Sequence, residues 1–224
     1  NLRRNGEASK SFTFFRRQRA RFADPLVMPV SPSKGAIPTM KPYEQAYREL
    51  STALAASSKR GLPMIITGCL FWLTAGLAGF LDHAITVWVY LYGIGLIFPV
   101  GILIARLMNI DLFAKDNPLA VLAGVVGAMQ ILFAPLVILI LFRLPEFIPF
   151  AVGVLTGAHF LPYAIIYRSK AYLFLSIATV AGASLIGVLA RDHTFLATPF
   201  ALTAVYLVTC LRLMRETAKQ SNGA

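Results

Sequence analysis

The chain has 224 residues, of which 57% are hydrophobic and only 14% charged, and its formal net charge is +11. Globular domains average about 45–50% apolar and about 25% charged residues, so the apolar excess must face lipid, in agreement with a mean hydropathy of +0.68. A disordered chain, a collagen and a disulfide scaffold are excluded, because apolar residues abound, glycine is not periodic and there are two cysteines; nor is there the soluble basic face of a nucleic-acid binder.

Residues 1–39 carry eight cations (Arg3, Arg4, Lys10, Arg16, Arg17, Arg19, Arg21 and Lys34) against Glu7 and Asp24, a net +6 and more than half of the total. Prolines at 25, 29, 32 and 38 prevent regular structure over the second half of this stretch. It reads as a basic, disordered leader to which no function is assigned. Its Arg-rich, acid-poor composition is shared by transit peptides and by polybasic lipid-binding segments. Asn1 opens the chain, however, and Met40 directly precedes a well-formed helical pattern, so the preferred expectation is a mis-assigned start, with the product beginning at Met40 or Met28.

From Lys41 the apolar residues Tyr43, Ala46, Tyr47, Leu50, Ala53 and Leu54 recur at helical spacing, with Glu44, Gln45, Arg48 and Ser51 on the other side. The spacing predicts an amphipathic helix within residues 40–60, lying on the membrane surface or against the bundle. Six windows then supply the roughly 20 apolar residues that a bilayer requires: 61–81, 86–105, 118–142, 147–167, 171–190 and 195–213. Spanning segments must satisfy their own backbone groups, so the expected fold is all-α, a polytopic bundle of six transmembrane helices over residues 61–214 followed by a short tail at 215–224.

Lys and Arg set orientation. Lys59, Arg60, Arg106, Lys115, Arg168, Lys170, Arg212, Arg215 and Lys219 collect on one side, and only Arg143 and Arg191 on the other. Both termini are therefore expected in the cytoplasm. Cys69 and Cys210 fall in the half nearer that reducing compartment, which argues against a disulfide, and the pair is too small a set for a metal site.

Inside lipid, helices approach closely through small residues. Ala123, Gly124, Gly127 and Ala128 in the third span, Gly153 and Gly157 in the fourth, and Ala178, Gly182, Ala183 and Gly187 in the fifth predict that these three helices form the tight centre. The fourth span carries its glycines on one face and Val152, Thr156, His159 and Tyr163 on the other, so it belongs in the interior, and Pro162 is expected to kink it. Trp72 reads as core packing and Trp88 as an interfacial anchor.

Few polar groups enter the hydrocarbon region, and they form the candidate site. His159 lies about 12 Å and Gln130 about 18 Å below their helix ends at 1.5 Å per residue, close enough in depth to meet. An intramembrane ionisable residue is a functional candidate by default. His159, Gln130, Tyr163 and Thr156 are therefore the predicted polar intramembrane site, able to bind a polar solute or relay protons; the competing reading is a plain helix-to-helix contact. Asp116 and Asn117, ahead of Pro118, read as helix caps rather than cation ligands. No hydrolase, metalloprotease, P-loop or dinucleotide motif is present and no carboxylate pair lies within a span, so no enzymatic activity, cofactor or metal is expected.

The segments Lys59-Arg60-Gly61-Leu62-Pro63, 113–119 (FAKDNPL) and 157–172 (GAHFLPYAIIYRSKAY), with Gln130, resemble an uncharacterised family of bacterial six-span membrane proteins, a domain of unknown function. The resemblance covers about residues 41–213, implies a bacterial inner-membrane protein, and brings no established functional residues. Residues 1–39 depart from the pattern. The expected partners are the lipid bilayer and a small polar solute or ion, with no nucleic acid. A transporter or solute-binding protein is the first functional expectation, and a non-enzymatic interaction or scaffold subunit the alternative. A cavity reaching His159 would favour the first, a dry interior the second.

Overall fold

The structure, a computed structural model, describes residues 41–222. The basic leader expected over residues 1–39 lies outside the described residues. Among those described, six helical stretches are long and apolar enough to cross a membrane: Lys59–Ala78, His83–Leu107, Pro118–Arg143, Pro145–Ile166, Lys170–Leu189 and Arg191–Gln220. Each overlaps one of the six expected windows, and no strand occurs among the described residues.

The helices are α1 (Lys41–Ser57), α2 (Leu62–Ala78), α3 (His83–Leu107), α4 (Pro118–Ala128), α5 (Ala134–Arg143), α6 (Ile148–His159), α7 (Leu161–Ile166), α8 (Lys170–Leu189) and α9 (Thr194–Asn222). α4 and α5 are two halves of the third span, joined by a tight 3₁₀ segment over Met129–Phe133. α6 and α7 are two halves of the fourth, separated at Phe160. Each break lies just ahead of a proline, Pro135 and Pro162, which withholds a backbone N–H from the preceding turn and clashes with it. α9 continues past residue 214 without interruption as far as Asn222.

The first span is the most enclosed, with 67% of its apolar window buried, whereas the second and third are buried over only 17% and 11%. α2 lies along both α9 and α3, α8 along α6 and α9. Glycines allow these approaches: Gly68 faces the Tyr206 ring, Gly76 the Phe200 ring and Gly93 the Phe71 ring. A methyl on Gly153 would stand 2.6 Å from the Ala183 Cβ, and one on Gly157 2.8 Å from Val180. Trp72 is fully buried, with edge contacts to Phe71 at 5.0 Å and Tyr90 at 6.1 Å; Trp88 is half exposed and stacks on Tyr92.

The centre therefore differs from the expected one. It is built from the first, fourth, fifth and sixth spans, and the third lies outside it. Gly124 has no neighbour within 4 Å, and Gly127 meets only the Tyr163 hydroxyl. Small residues permit close packing without enforcing it. In the third span their permissiveness serves a single side-chain contact.

α1 packs through Tyr47, Leu50, Ser51, Leu54 and Ala55, while Tyr43, Ala46 and Ala53 are exposed. The docked face is thus rotated from the expected stripe, and Ser51, placed on the polar side by sequence, is buried. Its hydroxyl donates to the Ile166 carbonyl at 2.8 Å, and the Tyr47 hydroxyl donates to that of Ile165. Both carbonyls terminate α7; that of Ile165 also accepts the Arg168 N–H at 3.0 Å, whereas the Ile166 carbonyl relies on Ser51, so a small polar residue is needed on the buried face.

Replacing Gly153 by Ala is expected to cost about 1–3 kcal/mol through overpacking, measured as a lowered unfolding midpoint in detergent. Gly124→Ala should be neutral or slightly stabilising, by less than about 1 kcal/mol. The reverse order would contradict a peripheral third span.

Candidate functional site

The four residues of the predicted polar site do come together. His159 Nδ1 lies 2.7 Å from Gln130 Nε2 and 2.5 Å from the Thr156 carbonyl. Its ring stands edge-on to Tyr163 at 5.9 Å. The proline break explains the carbonyl contact: the Phe160 N–H turns to Gly157 at 3.2 Å, leaving the Thr156 carbonyl without its usual partner one turn on. The imidazole fills that position. A single ring nitrogen cannot donate to a carbonyl and accept from an amide N–H together. An unprotonated Nδ1 would face the carbonyl lone pairs, so Nδ1 carries the hydrogen and donates it to the Thr156 carbonyl; that tautomer requires the Gln130 amide in the reverse orientation, oxygen for nitrogen. Thr156 contributes its backbone rather than its hydroxyl.

Tyr163 reaches the third span as well. Its hydroxyl donates to the Ala123 carbonyl at 2.7 Å, over Gly127. Gln130 sits in the 3₁₀ segment and His159 at the end of α6, so the two breaks face each other across the helix pair. The site therefore works as a clasp between the third and fourth spans. His159 is only 9% exposed. Two clefts among the described residues lie elsewhere in the bundle, and neither includes any of these four side chains.

A larger polar assembly lies at the end of the bundle where the cations gather. Lys59, Arg60 and Gly61 all adopt positive φ (47°, 54° and 70°), forming a left-handed corner between α1 and α2. Only glycine adopts this without strain, and a side chain at position 61 would also meet the Tyr172 hydroxyl at 3.0 Å. The corner aims Arg60 inward. Its Nη1 donates to the Tyr167 carbonyl at 2.6 Å and its Nη2 to Gln220 Oε1 at 2.9 Å, while Nε stands 3.8 Å from Glu216. Glu216 accepts from the Ser169 hydroxyl at 2.6 Å and the Ala171 N–H at 3.1 Å, so a carboxylate from α9 caps the positive N-terminus of α8. Tyr172 donates to the Arg60 carbonyl at 2.7 Å, and Gln220 to that of Thr52 at 3.0 Å. Tyr163, Tyr167 and Tyr172 stack with centroids 5.5–6.1 Å apart, joining this assembly to the clasp.

Sequence reasoning missed this assembly because it counted Arg60 as a topological charge. One signal was available: Glu216 is the only acidic residue after Asp192. Asn117 accepts from the Leu119 N–H at 2.9 Å as N-cap of α4 and donates to the Leu50 carbonyl at 2.8 Å, tying α1 to the third span. Asp116 is exposed; Asp111 instead accepts the Phe113 and Ala114 N–H groups in its own turn. No group of three or more His, Cys, Asp or Glu side chains suited to a metal occurs among the described residues.

At the opposite end two shallow clefts, of about 210 and 480 Å³, share His83, Asp192 and Phe195. Arg191 pairs with Glu146 at 3.5 Å and lies over the Phe147 ring at 4.9 Å, and His83 stands edge-on to Phe195 at 4.5 Å.

Six apolar helices, charged groups gathered at their ends, and one internal clasp define a multi-pass helical membrane protein. More narrowly, the chain belongs to the family of unknown function designated DUF7010, whose pattern matches residues 47–216. No curated protein and no solved structure matches it significantly.

Glu216→Ala is expected to lower stability by about 2–3 kcal/mol, less than for a fully buried pair because 27% of the Glu216 side chain is exposed. Glu216→Gln, which keeps one acceptor for Ser169, should lose less. Chemical denaturation in mixed micelles reads both; equal stability of Glu216→Ala and the parent would remove the carboxylate from the role of cap.

Proposed function

We propose that the protein is a non-enzymatic interaction or scaffold subunit of a bacterial inner membrane, with His159, Gln130, Tyr163 and Thr156 as a structural clasp. The observation that carries this reading is that the donors of the clasp are turned to backbone. The His159 Nδ1 hydrogen and the Tyr163 hydroxyl go to carbonyls on the fourth and third spans, and His159 is 9% exposed. A relay or binding site needs a route for its solute, and the burial of His159 against the Thr156 carbonyl supports structure over transport. Hydrogen bonds between membrane helices contribute about 0.6 kcal/mol each, and up to about 1.7.

Solute binding has one observation in its favour, the mixed-charge clefts around His83, Glu146, Arg191 and Asp192 at the other end. A transporter would take its solute there, away from His159.

The orientation follows from the same cations that Arg60 belongs to: both termini face the cytoplasm, and the His83 and Asp192 clefts face outward.

In proteoliposomes, His159→Ala should lower the unfolding midpoint by an amount equivalent to about 1 kcal/mol and leave proton flux unchanged; a flux change at unaltered stability would overturn the clasp. For orientation, cysteines placed singly at 192 and at 219 in a cysteine-free chain are expected to react with a membrane-impermeant maleimide in intact cells at 192 only. Labelling at 219 alone would invert the topology.

A further inference from the structure

The inner ends of α8 and α9 carry a second set of cations that the Arg60 assembly leaves unused. Arg212, Arg215 and Lys219 fall within about 60° of one another around α9 at 100° per residue, and all three are exposed. Arg212 is fixed in place, its guanidinium 3.9 Å from the centroid of the Phe174 ring on α8. Phe174 lies one turn beyond Lys170, also exposed, so Lys170 and Arg212 border the same groove. None of these four cations forms an ion pair with a described residue. The one carboxylate nearby, Glu216, is taken by Ser169, Ala171 and Arg60.

Below the cations the groove is apolar and open. Leu173, Ile177, Val208 and Leu211 are 44%, 60%, 40% and 57% exposed. Apolar side chains at the depth of acyl chains, topped by unpaired guanidinium and ammonium groups at the depth of headgroups, match an anionic phospholipid in both parts. A soluble anion would use only the upper part.

We propose that the groove between α8 and α9 at the basic end is a binding seat for an anionic phospholipid, its phosphate held by Lys170, Arg212 and Arg215 and its chains lying along Ile177 and Val208. Arg212 is the pre-placed element, because stacking on Phe174 has already removed much of its conformational freedom. The seat is independent of the reading of His159.

The test measures lipid binding to the full chain in neutral detergent, by native mass spectrometry, with dioleoyl phosphatidylglycerol and dioleoyl phosphatidylcholine as probes. The parent protein should prefer the glycerol lipid, and Arg212→Gln with Arg215→Gln should reduce that preference about 30-fold, at about one factor of five per cation. Lys170→Gln, at an exposed side chain with no bond to lose, should reduce it about fivefold and serves if the double variant does not fold. Lys115→Gln, at a basic residue elsewhere on the same side, should leave it unchanged. The cations of residues 1–39 are common to every variant and cancel. Equal binding of the two lipids by the parent, or an undiminished preference in Lys170→Gln and the double variant, would overturn the seat. Displacement of the lipid by equimolar inorganic phosphate would overturn the lipid as its occupant.

Discussion

Four helix ends meet at the basic end of this bundle, and each brings backbone groups that lipid cannot satisfy. The assembly around Arg60 and Glu216 engages several of them together. Arg60 takes the carbonyl at the end of the fourth span, Glu216 takes the Ser169 hydroxyl and the Ala171 N–H that open the fifth, and Gln220 links the end of the sixth to α1. The arrangement needs a left-handed corner of three residues to direct Arg60 inward. Two of those residues, Lys59 and Arg60, adopt that geometry at a steric cost that the surrounding bonds offset.

The same principle operates on a smaller scale within the bilayer. Pro162 interrupts the fourth span and leaves the Thr156 carbonyl unpartnered; His159, on the last turn before the break, supplies the missing donor. Gln130 occupies the corresponding irregularity in the third span. The contact of His159 with the Thr156 carbonyl is thus a repair of the fourth span's interruption, and its contact with Gln130 joins the two broken helices. Tyrosines 163, 167 and 172 then form a continuous stack from this repair to Arg60, so the internal polar groups and the boundary assembly belong to one system.

The number of the spans and the position of each were legible because hydropathy follows from the cost of unsatisfied backbone in lipid, which is a local property; the far end of the sixth was not, since α9 runs on as a polar helix that no lipid requires. The meeting of His159 with Gln130 was legible for a similar reason, since depth along a helix is a count of residues. Arrangement was not. Gly124 and Gly153 look alike in sequence, yet one faces open space and the other the fifth span, because a small residue allows an approach that only the partner's shape can require. Ser51 was assigned to the polar side for want of knowing which carbonyls α1 would meet. Glu216 was invisible as a cap because its partner helix begins 45 residues earlier in the chain.

The peripheral third span has a consequence for how the molecule meets its bilayer. With 11% of its apolar window buried, it gains most of its stability from insertion into lipid and little from docking on its neighbours. Its attachment rests on the Gln130 and Tyr163 bonds, on the Asn117 link to α1 and on a few buried apolar residues, Ala120, Val126, Val137 and Leu141. Lipid thickness and composition therefore bear on this span more directly than on the enclosed first span, whose surroundings are mostly protein.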